Sequence, residues 1–329
     1  VPACCAAMRA PLRVLVVGAL TRTGQQVARS LAARRDDFTV TALCGREMGE
    51  RISDDTGALA DSGLDVRFLE EKGGVTADAV VIATDDPPPE AALRYLLESC
   101  SSDGVAQTVL LSRIGASKGA LGLGRWREAE ECALAQVGAG LTILRCAQPL
   151  IGGPYYALDP DSIGRGNAQL ADMWRAAAVA PGDGELKQGG FGCSRATAAN
   201  AIAGVLSRGP AAATDAYCVV SLDTTTSEAV EPWTDAQWAS AFPGGDNTRA
   251  EDGEAATLTI DLSDERLVTF TQPQAVEAPN PLVAPLAASG PYYFTAALFV
   301  YGFYLTTQPS YIEKTGVNLW QGILPQVGG

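Results

Sequence analysis

Residues 12–24 read LRVLVVGALTRTG, an apolar run that ends in glycine and is followed by a short loop and a second glycine. A run this rich in valine and leucine is typical of a parallel strand that is covered on both faces. Beyond Gly24, apolar side chains recur near helical spacing at Val27, Leu31 and Ala32. The stretch therefore predicts a strand, a tight glycine turn and a helix, the unit that opens a doubly wound α/β domain.

Apolar runs and helical patterns continue to alternate along the chain. Predicted strands cover residues 38–43, 64–69, 79–83, 106–111 and 141–146, and predicted helices cover residues 23–33, 89–100 and 125–137. Strands that alternate with helices at this spacing imply a parallel sheet with right-handed crossovers. We therefore expect residues 12–222 to form one Rossmann-like α/β domain with a doubly wound parallel sheet.

The composition excludes several classes of function. The chain has 329 residues, a formal net charge of -14 at pH 7 and no histidine. The acidic balance argues against nucleic acid as a partner, because a nucleic-acid site needs a clustered basic face. The missing histidine excludes histidine-activated nucleophiles and histidine-bound zinc or haem. The 8 cysteines include no CxxC pair and no zinc spacing, so we expect most to be core residues in a reducing compartment, and we expect no metal site.

The turn after the first strand carries the pattern of a phosphate-binding loop. It reads GALTRTG over residues 18–24 and leads directly into a helix, where such a loop holds a phosphate at the helix N-terminus. Gly18, Ala19 and Gly24 match the pattern Gly-Ala-Thr-Gly-x-x-Gly of the atypical short-chain dehydrogenase/reductases of the NmrA-like group, which the chain resembles here. Thr21 replaces the middle glycine, where the backbone approaches the pyrophosphate. The loop either still binds a dinucleotide or is only a tight turn.

Other parts of the chain resemble the same family in the expected order. They are LLS at residues 110–112, REAE at 127–130, LTILR at 141–145 and SRATAA at 194–199. The last stretch is similar to the family's Ser-x-x-Asp-Val-Ala helix start. Together these parts cover about two thirds of the chain, and the resemblance implies a Rossmann-like fold with a nucleotide site.

The residues after the second strand favour NADP(H) as the nucleotide, if one is bound. The second strand ends without an acidic residue for a ribose 2′-hydroxyl, and Arg46 could meet a 2′-phosphate. A solvated arginine is the alternative interpretation of Arg46. The candidate cofactor-binding residues are Gly18, Ala19, Thr21, Arg22, Thr23, Gly24, Arg46, Ala83, Thr84 and Ser112.

The residues that transfer protons in this family are missing. Its reductases use a Tyr-x-x-x-Lys pair, in which the lysine makes the tyrosine a better proton donor. No lysine in this chain stands four residues after a tyrosine, and Trp126 stands where many atypical members carry a lysine. Ser112 matches the family's serine, but without its partners it is interpreted as a strand-end hydroxyl. The sequence therefore predicts no catalytic residue.

Acidic residues are concentrated in two kinds of place. The adjacent pairs at residues 36–37, 54–55, 85–86 and 130–131 are predicted to be solvated charges. Residues 223–278 are predicted to be a separate acidic appendage, because they hold most of the chain's negative charge. Within this appendage, two apolar-polar alternating runs, 257–262 and 267–272, predict a β-hairpin around a turn at residues 263–266.

The end of the chain predicts a membrane anchor. No charged residue occurs between residues 278 and 312. A proline-rich linker at 279–291 leads into an apolar stretch at 292–308 whose aromatic ends are typical of a transmembrane helix. A buried helix packed on the sheet is the alternative. Residues 309–329 form a tail, and residues 1–11 are interpreted as the stub left by a removed targeting peptide, or as an artificial chain boundary.

These features lead to one favoured functional hypothesis and two alternatives. The favoured one is a non-catalytic accessory subunit of an organelle membrane complex, with other subunits of that complex as partners. A chloroplast thylakoid photosystem, with the domain in the stroma, is preferred over respiratory complex I in the mitochondrial inner membrane. Chlorophyll or carotenoid could lie near the membrane helix, with chlorophyll bound through a group such as Gln308. The alternatives are an NADP(H)-dependent reductase or isomerase that uses Tyr155 or Tyr156 as proton donor, and an assembly factor that senses the nucleotide without turnover.

Overall fold

The computed structural model describes residues 10–19, 21–44, 64–68, 74–119, 123–152, 177–183, 192–221, 233–243, 258, 260 and 264–267. The chain divides into two compact units, Val1–Gln272 and Pro273–Gly329, and every described residue belongs to the first.

The described residues form ten strands and five helices. The strands are β1 (Leu12–Val17), β2 (Phe38–Cys44), β3 (Asp65–Phe68), β4 (Ala79–Ile82), β5 (Gln107–Arg113), β6 (Leu141–Cys146), β7 (Leu150–Ile151), β8 (Ala177–Pro181), β9 (Cys193–Ser194) and β10 (Asp215–Ser221). The helices are α1 (Arg22–Ala32), α2 (Glu90–Ser102), α3 (Gly124–Gln136), α4 (Arg195–Arg208) and α5 (Asp235–Ala241).

Eight strands form one sheet in the order β3-β2-β1-β4-β5-β6-β10-β8. All neighbours from β3 to β10 pair in parallel, and β8 is an antiparallel edge strand. Successive strands are added on one side of β1 up to β3 and on its other side from β4 onward. The carboxyl ends of β1 and β4 are therefore the topological switch point, where open α/β sheets bind ligands. The predicted doubly wound parallel sheet is confirmed.

The sheet is covered on both faces, which explains why β1 is apolar at nearly every position. Val14 and Val16 pack in the apolar cluster that includes α1 and α4. Leu15 and Val17, one residue out of phase, pack in the cluster that includes α2 and α3. Successive side chains of a strand point to opposite faces, so a strand between two helical layers must be apolar throughout.

Strands β1–β6 and helices α1–α3 lie within two residues of their predicted bounds. The family-like helix start at Ser194 is also confirmed, because the Ser194 side chain accepts a hydrogen bond from the Thr197 amide and α4 follows at once. Strands β7–β10 and helix α5 were not predicted. Five cysteines whose side chains the structure describes are buried and free, as expected for core residues: Cys100, Cys132, Cys146, Cys193 and Cys218.

Part of the predicted acidic appendage packs on the domain. Helix α5 begins with a capping box in which Thr234 and Gln237 bond each other's backbone. Its buried side chain Trp238, with Phe242 just beyond its end, packs against α4 at Gly204, where an added Cβ would lie 2.9 Å from the Trp238 Cβ. The apolar side chains Trp238 and Phe242 of this segment therefore contribute to the core of the domain. The separate acidic appendage stays a prediction.

The predicted hairpin is only partly visible. Leu258, Ile260 and Leu267 are buried in the α2 and α3 cluster. Residues 265–267 are helical, although the second predicted strand begins at Leu267. The other residues of the hairpin lie outside the described ones, so the hairpin is not confirmed.

None of the described helices has the length and apolar character that a bilayer crossing requires. The predicted span at 292–308, its linker and the C-terminal tail lie outside the described residues, as does nearly all of the N-terminal stub. The membrane anchor and the pigment near it therefore stay predictions.

Candidate functional site

The candidate site lies at the switch point, where β1 and β4 end and α1 begins. Gly18 has a φ of +85°, and an added Cβ there would lie 2.7 Å from the Ala83 carbonyl oxygen. A Cβ on Gly24 would lie only 2.0 Å from the Gly18 carbonyl oxygen. Both glycines are therefore required by backbone contacts within the turn, as the loop pattern predicted.

Thr21, which replaces the middle glycine, fills the turn with its side chain. It is the N-cap of α1 and accepts a 3.0 Å hydrogen bond from the Gly24 amide. Its hydroxyl lies 2.8 Å from the Gly18 carbonyl oxygen and 3.1 Å from that of Ala83, and it can donate to either. One hydroxyl thus joins the ends of β1 and β4 to the first turn of α1.

A carboxylate lies at the N-terminus of α1. The Thr23 amide donates to Asp85 Oδ2 at 3.3 Å, and the Thr23 hydroxyl donates to Asp85 Oδ1 at 2.5 Å. A negative charge is favourable there, because the helix dipole and the unpaired amides of the first turn attract it. The prediction that Asp85 is a solvated charge is wrong, since the residues that follow β4 lie directly beside the start of α1.

Arg195, the first residue of α4, holds this carboxylate in place. Its Nη2 lies 3.1 Å from Asp85 Oδ1, and its Nε donates to the Thr23 hydroxyl at 3.0 Å. Its Nη1 donates to the Gly152 carbonyl at 2.8 Å. Burial alone would raise the pKa of Asp85, but the charge of Arg195 and the hydrogen bonds from Thr23 outweigh it and hold the pKa below the ordinary value of 3.8.

A second buried arginine, Arg113, supports the same loop from the end of β5. Its Nη2 donates to the Asp85 carbonyl at 2.8 Å. Its guanidinium lies 4.8 Å from the ring centre of Trp126, the residue predicted to replace a lysine of the NmrA-like group. When the Gln148 amide oxygen faces it, that oxygen accepts from Arg113 Nε and Nη1 at 2.7 and 3.0 Å. Burial lowers the pKa of Arg113 from its ordinary value.

Ser112 belongs to a separate buried network. Its hydroxyl donates to Glu130 Oε1 at 2.6 Å. Arg145 binds the same carboxylate in a bidentate manner, at 2.9 Å through Nε and 2.7 Å through Nη2. Only 8% of the Arg145 side chain and 4% of the Glu130 side chain are exposed. The prediction that Glu130 is solvated is wrong, because this position of α3 faces the sheet.

The structure brings together most of the predicted cofactor residues. Gly18, Thr21, Gly24 and Ala83 are in contact around the turn, and Thr23 beside them bonds Asp85. Ala19 is fully buried, Arg22 is the first residue of α1, and the Thr84 hydroxyl donates to the Asp86 carbonyl at 2.6 Å. Ser112 belongs to the Glu130 network, and Arg46, Tyr155 and Tyr156 lie outside the described residues.

Sequence reasoning missed three charged residues at this edge of the sheet: Asp85, Arg113 and Arg195. One signal was present, because Asp85 and Arg113 stand at or just after the ends of predicted strands. Such positions in a parallel sheet converge on the ligand-binding edge.

We expect Asp85→Asn to destabilise the protein by about 2 kcal/mol at pH 7, because it leaves Arg195 without its ionised partner. The pKa of Asp85 is lower in the folded chain than the value near 3.9 expected when unfolded. Its stabilising contribution is therefore fully present above about pH 4 to 5 and is lost as the pH falls through the folded pKa. The difference in the free energy of unfolding between wild type and Asp85→Asn should therefore decrease as the pH falls through this range.

Urea denaturation at several pH values between about 7 and 3.5 measures this difference. Asp86→Asn is the matched control, since Asp86 is the exposed neighbour and its replacement should change stability by less than about 0.5 kcal/mol. A wild-type advantage over Asp85→Asn that stays constant across this pH range would contradict the assignment.

No protein-family model matches the chain, and no curated protein sequence is significantly similar to it. The chain is similar to the solved structure of an actinorhodin polyketide ketoreductase with NADPH, at 12% identity over 66% of this chain and 98% of that chain, with a TM-score of 0.37. It is similar to an L-sorbose reductase from Gluconobacter frateurii complexed with NADPH and L-sorbose, at 12% identity over 66% and 98%, with a TM-score of 0.38.

A third similar structure is a C2-type ketoreductase from a modular polyketide synthase, at 18% identity over 72% of this chain and 53% of that chain, with a TM-score of 0.36. All three structures are described as reductases or ketoreductases. A likeness this distant concerns the fold alone and does not confirm the NmrA-like subgroup.

Proposed function

We propose that this chain has the fold of a dinucleotide-dependent reductase but does no reductase chemistry, and that it serves as an accessory subunit. The observation that carries the proposal is the state of Ser112. The serine at the family's serine position is fully buried, and its hydroxyl is bound to Glu130 at 2.6 Å.

A reductase that reduces a carbonyl needs a side chain that can hand a proton to the substrate oxygen. The Ser112 hydroxyl is committed to a carboxylate, and that carboxylate is paired with Arg145. Drawing Ser112 toward a substrate would cost the buried Glu130 one of its hydrogen bonds. Trp126 stacks with Arg113 in place of the expected lysine. The positions that serve catalysis in the family therefore serve packing and charge pairing here.

We propose further that residues 292–308 attach the chain to an organelle membrane. Support comes from the uncharged stretch between residues 278 and 312 and from the aromatic residues at the ends of the apolar run. Within this proposal the partners are subunits of a photosynthetic thylakoid complex, or alternatively of respiratory complex I. Chlorophyll or carotenoid would bind beside the anchor rather than in the α/β domain.

A second candidate function is an NADP(H)-dependent reductase or isomerase. It is favoured by the turn itself, because Gly18 and Gly24 keep the close backbone contacts of a dinucleotide loop. Tyr155 or Tyr156 would then supply the proton. A nucleotide-sensing assembly factor shares the first requirement and not the second, since it binds without turnover.

The first test incubates the purified full chain with NADPH and a panel of ketones, aldehydes and quinones, and follows NADPH absorbance. We expect no oxidation above the enzyme-free blank. Carbonyl-dependent oxidation that is lost in a variant carrying both Tyr155→Phe and Tyr156→Phe would overturn the proposal and establish the reductase.

The second test concerns the membrane. We expect the native protein to comigrate with a large pigmented or respiratory complex in detergent gels and to stay with the membrane after an alkaline wash. A protein that the wash releases as a free monomer would contradict the accessory role.

A further inference from the structure

We infer that Asp85 occupies, as part of the protein, the place of a dinucleotide's pyrophosphate at the N-terminus of α1, so that this chain does not bind NADP(H) there. The inference stands independently of the accessory role, because a non-catalytic protein could still bind the nucleotide.

Two amides in the first turn of α1 already have partners within the chain. A dinucleotide loop holds the pyrophosphate with these N–H groups, which have no partner inside the helix. Here the Thr23 amide donates to Asp85 Oδ2 at 3.3 Å, and the Gly24 amide donates to the Thr21 hydroxyl at 3.0 Å. The Gln25 amide makes the first helical bond, to the Thr21 carbonyl at 2.8 Å. Groups of the chain itself therefore already occupy the amides of Thr23 and Gly24.

The negative charge of Asp85 would repel a bound pyrophosphate. The pKa of Asp85 is held below its ordinary value, so the carboxylate is ionised at neutral pH. A pyrophosphate at the same helix end would bring two further negative charges within about 5 Å of it, where repulsion at an intermediate effective dielectric constant weakens binding by about 100-fold or more. Arg195 and the N-terminus of α1 offset the single negative charge of Asp85, but they do not also compensate for the two negative charges that a pyrophosphate would add.

The Asp85 carboxylate is also held firmly at the N-terminus of α1. Three elements fix it: Thr23 of α1 bonds both carboxylate oxygens, Arg195 of α4 pairs with Oδ1, and Arg113 of β5 bonds its backbone carbonyl. A rotated carboxylate would abandon all of its side-chain bonds and take a negative charge away from the buried Arg195.

The side chain of Thr21 takes up space that a pyrophosphate would need. A dinucleotide loop has glycine at the middle position so that its backbone can approach the pyrophosphate. Thr21 places a side chain there, and its hydroxyl already contacts Gly18, Ala83 and Gly24. The residues present therefore do not fit the pyrophosphate of NADP(H), although the glycines around them have kept the shape of the turn.

The experiment titrates the full wild-type chain with NADPH, using nicotinamide fluorescence and calorimetry, at about pH 7. We expect no saturable binding up to about 1 mM. The doubly substituted variant Thr21→Gly/Asp85→Asn should gain saturable binding, with an affinity at least about 100-fold above the wild-type limit. Thr21→Gly/Asp86→Asn is the matched control and should gain far less, because it keeps the carboxylate of Asp85.

A wild-type dissociation constant below about 1 mM overturns the inference, and so does a folded Thr21→Gly/Asp85→Asn variant that binds no better than the control. If that variant does not fold, hydrogen exchange of the wild type decides. Unchanged protection of residues 18–28 with and without NADPH supports the inference, and increased protection overturns it. Wild-type binding of NADPH without its oxidation would overturn this inference alone. Carbonyl-dependent oxidation of NADPH would overturn the proposed function as well.

Discussion

Glu130→Gln is expected to lower the free energy of unfolding by about 3 to 5 kcal/mol, the cost of removing one partner from a buried ion pair. Glu130 accepts two hydrogen bonds from Arg145 and one from Ser112, all at 2.6 to 2.9 Å. Glutamine has nearly the same shape, but it carries no charge. The substitution would therefore leave the Arg145 guanidinium buried between the sheet and α3 without its counter-ion.

Urea denaturation followed by circular dichroism measures this loss, and the adjacent residue supplies the control. Glu131 pairs with Arg127 one helical turn away, and more than half of each side chain is exposed. Glu131→Gln should cost less than about 0.5 kcal/mol, because exposed pairs of this spacing are weak. If Glu130→Gln lowers the free energy of unfolding by no more than about 0.5 kcal/mol, like Glu131→Gln, the Glu130 network does not stabilise the domain.

The parts of the fold that could be predicted are those whose signal is local. Strand β6 was predicted at its observed bounds, Leu141–Cys146, because a strand buried on both faces must be apolar throughout. Strand β8, Ala177–Pro181, was missed, since its run AAVAP is short, alanine-rich and only partly buried. It also pairs antiparallel with β10, and the alternating pattern of strands and helices gives no sign of that reversal.

The candidate site was predictable where the backbone alone dictates the residue. Gly18 and Gly24 follow from the geometry of a strand-turn-helix unit, and Thr21 was recognised as the departure from it. Asp85 was misread, because its partner Arg195 is 110 residues away in the chain. Two adjacent acidic residues resemble a solvated pair when the sequence gives no sign of the arginine that reaches one of them. Glu130 was misread for the same reason, since only the packing of α3 shows that it faces Arg145.

Gly24→Ala is expected to destabilise the protein by about 3 kcal/mol or more, or to prevent folding, because the new methyl group would overlap the backbone. The Cβ would lie 2.0 Å from the Gly18 carbonyl oxygen, 2.5 Å from the carbon of that carbonyl and 2.7 Å from the Ala83 carbonyl oxygen. None of these atoms is the end of a flexible side chain, so relief requires β1, β4 and α1 to separate.

Gly124→Ala is the matched control, because Gly124, like Gly24, lies in the first turn of a helix, and nothing outside its own helix lies within 4 Å of the position of its Cβ. It should leave the denaturation midpoint unchanged or raise stability by up to about 1 kcal/mol, since alanine favours helix over glycine. Gly24→Ala should lower the free energy of unfolding by the full amount in protein that is free of nucleotide. Gly24 would then be required by the packing of α1 against the ends of β1 and β4, whether or not the chain binds NADP(H). A Gly24→Ala variant as stable as Gly124→Ala would instead mean that the turn tolerates a side chain, and the glycine would then need a ligand to explain it.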